Sequence, residues 1–133
     1  MKVNGKTPEM WAVAEALLDV APTGHSFKTP GETHKSGFLP LSTQLGKGTA
    51  HKNAVSVHPK FVSFMVGNWT IEPSVQTAGF KTDQSIRYGK RLHVHGLTPS
   101  EITAHRELFK QILAAAEIES HERQKTHPRT NTK

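Results

Sequence analysis

The chain has no cysteine among its 133 residues, which excludes disulfide bonds, thiolate catalysis and every cysteine-ligated zinc or iron–sulfur site. It has no apolar run of the roughly 20 residues that span a bilayer. Its basic start, residues 1–10, lacks the apolar stretch of a signal peptide, so we expect an intracellular, cytoplasmic protein. Asp19 and Asp83 are the only aspartates, and no serine lies in a nucleophile elbow, so the sequence predicts no hydrolase triad.

Positive charge is in excess. Seventeen lysines and arginines oppose 11 acidic residues, for a formal charge of +6, and nine histidines can add to that charge as the pH falls. The excess is clustered, because between residues 25 and 60 five lysines face a single acid, Glu32. Clustered positive charge favours an anionic partner such as nucleic acid.

One helix is predicted near each end of the chain. Residues 7–9, Thr-Pro-Glu, are typical of a helix start, and apolar spacing continues to about Val20. Residues 98–101, Thr-Pro-Ser-Glu, form a capping box that begins a second helix, predicted to run to about Glu122. A polar tail is predicted over 125–133.

Strands are predicted in the middle of the chain. Residues 61–66, Phe-Val-Ser-Phe-Met-Val, are the clearest strand, and Gly67-Asn68 predicts a hairpin turn into a second strand over 69–72. Apolar and basic residues alternate over 85–95, which predicts a further strand with a bend near Gly89. Its apolar face holds Ile86, Tyr88, Leu92 and Val94, and its basic face holds Arg87, Arg91, His93 and His95.

Together these elements predict a single α+β domain over residues 1–124. A small antiparallel sheet of about three to five strands is packed by the N-terminal and C-terminal helices. Residues 25–60 show no sustained apolar period, so they are predicted to form a long basic loop or arm after the first helix.

The first functional hypothesis is a non-enzymatic protein that binds nucleic acid, either DNA or RNA. Alternate residues of a strand lie about 7 Å apart, similar to successive phosphates, so a basic strand face can follow a phosphate backbone. Phe27, Phe38 and Trp69 are candidate rings for stacking on unpaired bases. The predicted contacts are the basic strand face and five lysines: Lys28, Lys35, Lys47, Lys52, Lys60, Arg87, Arg91, His93 and His95.

Two alternative hypotheses use the same parts of the chain. The arm of residues 25–60 can instead fold against a protein, which predicts an accessory or structural component of a larger assembly, for example a viral or inhibitor protein. His93 and His95 lie on the same side of a strand and can share a metal ion, with His105 as a third ligand, which predicts a metal-dependent phosphoesterase or nuclease. The pair can also act as general acid and base without a metal. His105 equally fits a half-buried histidine on the apolar seam of the last helix. No cofactor is predicted.

Overall fold

The computed structural model of the protein describes residues 7–28, 37–43, 52–66, 69–86 and 90–126. The predicted α+β class is confirmed. Across those residues, helices flank an open antiparallel sheet of six strands, slightly more strands than predicted. None of the helices in the described ranges has the length and apolar character needed to cross a bilayer.

The helices are α1 (Pro8–Val20), α2 (Glu72–Thr77), α3 (Pro99–Ala104) and α4 (Arg106–Thr126), and a 3-10 turn at Trp69–Ile71 leads into α2. The strands are β1 (Phe27–Lys28), β2 (Leu39–Thr43), β3 (Lys52–Val57), β4 (Phe61–Phe64), β5 (Thr82–Ser85) and β6 (Arg91–His95). They lie in the order β1-β2-β3-β4-β6-β5, and each strand is antiparallel to its neighbours.

Both predicted helix starts are confirmed. The Thr7 hydroxyl accepts a hydrogen bond from the Met10 amide at 3.2 Å, and the Thr98 hydroxyl accepts one from the Glu101 amide at 3.2 Å. The second helix is interrupted, however, because His105 leaves the helical conformation, with φ −114° and ψ 40°, and separates α3 from α4. Helix α4 then continues to Thr126, beyond its predicted end, and residues 127–133 lie outside the described ranges.

The core lies between one face of the sheet and the helices. Each of the four helices contributes buried apolar side chains to it, among them Leu17, Val75, Ile102 and Phe109. The strand residues that face this core are nearly inaccessible to solvent: Leu39, Leu41, Val55, Val57, Val62, Phe64, Leu92 and Val94. Apolar burial on this one side leaves the other face of the sheet for a different set of side chains.

The predicted hairpin across Gly67-Asn68 is wrong. Residues 69–77 are helical rather than a strand, and Gly67 and Asn68 themselves lie outside the described ranges. Strand β4 is already paired on both sides, with β3 and with β6, so it has no free edge for residues 69–72. Pro73 also fits the first turn of α2, where its missing N–H has no helical partner to lose.

Part of the predicted arm forms strands. β1, β2 and β3 all lie within residues 25–60, and the parts of that segment at 29–36 and 44–51 lie outside the described ranges. Leu39 and Leu41, whose spacing looked irregular in the sequence, are fully buried on β2. These strands are short and lie apart in the sequence, so no extended apolar period marks them.

The predicted strand over 85–95 is two strands. β5 ends at Ser85 and β6 begins at Arg91, and residues 87–89 lie outside the described ranges. Within β6 the predicted alternation of core and non-core residues is observed. Ile86 was predicted on the core face, but it follows the end of β5 and is 74% exposed.

Candidate functional site

The face of the sheet opposite the core carries polar and aromatic side chains. Because successive residues of a strand point to opposite sides, the residues that alternate with the core positions all lie here. We call this surface the polar face. Its described strand residues are Lys28, Ser42, Asn53, Ser56, Phe61, Ser63, Asp83, Ser85, Arg91, His93 and His95, together with Pro40.

Arg91 extends across this face. The sequence pattern predicted that it would be exposed, but it is buried. Only 7% of the residue is accessible. From β6 its side chain crosses β4, where Nε donates to the Ser63 hydroxyl at 2.6 Å and Nη2 donates to the Ser63 carbonyl at 3.1 Å. Nη2 also lies 3.4 Å from the Ser56 hydroxyl, and Nη1 donates to the Asn53 carbonyl on β3 at 2.9 Å. All four acceptors are uncharged.

The electrostatic environment of Arg91 is unfavourable to its charge. Burial, and then the nearby cation Arg123, lower the pKa of Arg91 to about 10, well below the usual value of an arginine. A buried cation is normally paired with a carboxylate, because desolvation of an ion is costly without one. Here the hydrogen bonds go to neutral groups and the charge that acts on Arg91 is also positive, so an anion at this position would be stabilised.

Four rings are stacked across the polar face in a row that we call the ring ladder: Phe38, His58, Phe61 and His93. Their centroids are separated in turn by 5.1, 4.4 and 4.5 Å, with interplanar angles of 23°, 13° and 23°. Neighbouring strands lie about 4.8 Å apart, so rings on adjacent strands come within stacking distance, and Phe61, which is paired in register with His95, stacks on the diagonal neighbour His93. Both faces of Phe61 are therefore covered by imidazoles, and the ladder presents ring edges rather than ring faces.

The two histidines of the ring ladder are neutral at pH 7. Burial lowers the pKa of His58 below 6.5, and the neighbouring His93 and Arg91 lower it further. Burial also lowers the pKa of His93. The neighbouring Arg91 and, to a smaller extent, His95 lower it further, whereas Asp83 raises it. Each imidazole therefore offers one N–H donor at neutral pH and a positive charge only under more acidic conditions.

Asp83 is the acidic residue of the polar face as defined above. Its carboxylate lies 2.5 Å from Nε2 of His95 and is 58% exposed. An exposed pair of this kind contributes little to stability. It offsets part of the positive charge at the β5 edge, and it also acts on His93 of the ring ladder, whose pKa it raises.

The predicted basic contacts are only partly brought together. Lys60 is exposed in the turn between β3 and β4, next to the ring ladder, while Lys28 is exposed on β1 at the far edge of the sheet. His93 and His95 lie on the polar face beside Arg91. Lys35, Lys47 and Arg87 lie outside the described residues, as does the side chain of Lys52.

The rings predicted to stack on bases have other positions. Phe27 is 6% exposed and belongs to the core, and Trp69 packs against the core from the 3-10 turn, with Lys90 5.7 Å from its ring centroid. Phe38 is half-buried in the ring ladder. Base stacking by Phe27 and Trp69 is therefore not supported by the fold.

The three candidate metal ligands are not close together. His93 and His95 contact Phe61 on the polar face. His105 instead packs edge-on against Phe80, which in turn contacts Phe109 in the core on the opposite side of the sheet. Over the part of the chain that the structure describes, no three or more histidine, aspartate or glutamate side chains form a group suited to a metal ion.

A second cluster of chemically active side chains lies between β1 and α4. The Ser26 hydroxyl is 2.7 Å from Oε2 of Glu117 and 2.9 Å from Nε2 of His121, and the Ser26 amide also donates to Glu117 at 2.7 Å. In a hydrolase triad the carboxylate orients the histidine, which then accepts the serine proton. Here the carboxylate binds the serine itself, so the arrangement ties β1 to α4 and does not activate a nucleophile.

Sequence analysis missed His58, Phe61, Ser56 and Ser63 as members of the site. The available signal was the alternation in residues 61–64, which places Phe61 and Ser63 on the side of the strand away from Val62 and Phe64. It does not reveal that these residues face Arg91, because that contact depends on the pairing of β4 with β6.

In comparisons of the chain with protein-family models, with curated proteins and with solved structures, nothing matched. The polar face is therefore the basis of the functional proposal.

Proposed function

We propose that this protein binds nucleic acid through contacts between the polar face and the phosphate backbone, without catalysing a reaction. The observation that supports the proposal is Arg91, a buried guanidinium whose hydrogen bonds within the described ranges go to uncharged acceptors. Its charge has no carboxylate among those partners, and a phosphate oxygen supplies the missing negative charge.

The surroundings of Arg91 add further hydrogen-bond donors. The Ser56 and Ser63 hydroxyls accept hydrogen bonds from Arg91, so their own hydrogens remain for another acceptor. His58 and His93 are half-buried at the same surface, where an imidazole can donate a ring N–H, and Lys60 adds an exposed cation beside them. A surface of this kind is rich in donors, which suits the acceptor oxygens of phosphate.

The ring ladder indicates which parts of a nucleic-acid strand the polar face contacts. Because the imidazoles of His58 and His93 cover the faces of Phe61, that ring is not a platform for base stacking. Contacts on the polar face are therefore directed to phosphate and sugar, which position a nucleic acid but do not read its sequence. We expect steep salt dependence and weak sequence preference.

Fluorescence anisotropy with labelled DNA and RNA at about 50 and 200 mM salt tests this proposal. We expect Lys60→Glu, at the polar face, to weaken binding about tenfold at the lower salt, which is the size of one lost ionic contact. Lys110→Glu is the matched control, because Lys110 is exposed on α4, on the helix side of the sheet.

Equal losses in the two variants would show that only net charge matters and would contradict a site on the polar face. If the protein binds neither DNA nor RNA at both salt concentrations, the proposal is contradicted altogether. The basic residues would then be explained by a protein partner in a larger assembly.

A further inference from the structure

A cleft of about 390 Å³ opens at one end of the sheet. Its walls come from the first turns of α1, from the turn between β3 and β4, and from the loop between β6 and α3. The floor is apolar and consists of the buried side chains Met10, Val13, Val57, Val62 and Leu97. A cavity of this volume with an apolar floor is typical of sites for small organic groups.

The rim of the cleft is polar and belongs in part to the polar face. His58 and Phe61 line the cleft and are also members of the ring ladder, so the two surfaces are continuous. Lys60 lies on the same wall, and Glu9 lies on the wall formed by α1. A phosphate at this rim is attracted to the Lys60 side and repelled by the carboxylate of Glu9.

We infer that the cleft holds one unpaired base of the bound strand, so that the protein selects single-stranded over double-stranded nucleic acid. This inference rests on the proposed function. A nucleobase has flat apolar faces that match the floor, and its own phosphate lies near Lys60 when the base is inside. A duplex has to unstack and unpair a base to fill the same cleft, which costs a few kcal/mol.

The continuity of the two surfaces favours a nucleotide over an apolar side chain of a protein partner. A strand that runs along the polar face arrives at the cleft with its phosphates already among cationic and donor groups. The middle of the polar face presents ring edges, which give a base no flat apolar surface. The cleft does provide apolar contact for a base.

The experiment compares two labelled oligomers of about 15 nucleotides, one of thymidine and one with an abasic backbone of the same charge. Stacking and burial of one base are expected to make the thymidine oligomer bind at least about fivefold more tightly. A duplex of the same length is expected to bind no better than the abasic strand.

A matched pair of variants tests whether the base preference depends on the cleft. Glu9→Trp places a bulky ring at the rim, whereas Glu15→Trp makes the same change on the exposed side of α1, away from the cleft. Both remove one carboxylate, so the net charge changes equally, but only Glu9→Trp removes the carboxylate that repels a phosphate at the rim. We expect Glu9→Trp to abolish the difference in affinity between the thymidine and the abasic oligomers, while the loss of that repulsion strengthens the binding of both. The Glu15→Trp protein is expected to keep the difference. Pro59→Trp, exposed on the opposite wall, closes the cleft a second way if the first variant fails a thermal melt.

Equal affinity for the two oligomers overturns the inference and leaves phosphate binding on the polar face intact. The inference is also overturned if Glu9→Trp and Pro59→Trp still bind the thymidine oligomer more tightly than the abasic one, or if they lose equal affinity for both. The occupant of the cleft would then be an apolar side chain of a protein partner. If the protein binds neither oligomer, the proposed function fails and the inference fails with it.

Discussion

Replacing Arg91 by methionine tests whether this buried arginine serves the fold or a ligand. Methionine keeps the unbranched apolar stem and removes the guanidinium. The lowered pKa of Arg91, about 10, corresponds to a destabilisation of about 3 kcal/mol for carrying the charge in the folded state. Unfolded and folded chains are both protonated at pH 7, so this destabilisation is constant through neutral pH and is relieved only above about pH 10.

The hydrogen bonds of Arg91 oppose that destabilisation. Four of them go to uncharged acceptors, and a typical net contribution of 1 kcal/mol each gives about 4 kcal/mol in total. The two effects nearly cancel. We therefore expect Arg91→Met to change the free energy of unfolding in urea by no more than about 2 kcal/mol, compared with about 3 to 5 kcal/mol when one member of a buried ion pair is removed.

The same variant is expected to lose affinity for nucleic acid and to lower the salt slope of binding by a little less than one, because one phosphate contact is missing. Urea unfolding followed by circular dichroism and anisotropy titration at several salt concentrations measure the two effects separately. A loss of about 4 kcal/mol or more with unchanged affinity would refute the reasoning, since Arg91 would then be a structural clamp between β6, β4 and β3.

Three further predictions concern the surroundings of the site and the fold. The pKa values of His58 and His93 are lowered in the folded state, so the unfolded chain binds more protons below pH 6.5. The free energy of unfolding should therefore fall between pH 7 and pH 5, and a variant with glutamine at both positions should show a smaller fall in urea titrations at the two pH values. The indole N–H of Trp69 is buried and has no hydrogen-bond partner among the described residues, so Trp69→Phe should keep or raise the melting temperature; a loss above about 1 kcal/mol would show that this N–H is satisfied in solution. Thr98→Ala removes the cap of α3 and should lower stability by about 1 kcal/mol, whereas an unchanged melt would mean that the Glu101 amide is satisfied by water.

Local signals in the sequence were sufficient where a structure depends on near neighbours. The starts of α1 and α3 were predicted correctly because a capping threonine, a following proline and an acidic residue act within four positions of one another. The alternation in β6 was also predicted correctly, since the period of a strand is a property of its own backbone. Neither signal depends on what the segment packs against.

Tertiary structure overrode local preference in residues 61–72. The sequence favours a turn at Gly67-Asn68, but a hairpin also needs a free strand edge, and β3 and β6 occupy both edges of β4. Which edges are free depends on pairings between segments far apart in the chain, so no window of sequence contains that information.

The amino-acid sequence by itself determined the α+β class, the helix starts, the excess of positive charge and the placement of His93 and His95 on one side of a strand. Only the tertiary structure decided that Arg91 is buried across β4 and that His58, Phe61 and His93 stack in a row. The physical reason is strand register. Hydrogen-bonded pairing between segments far apart in the chain determines which residues become neighbours about 4.8 Å apart across the sheet. The chemistry of the polar face arises from those neighbours.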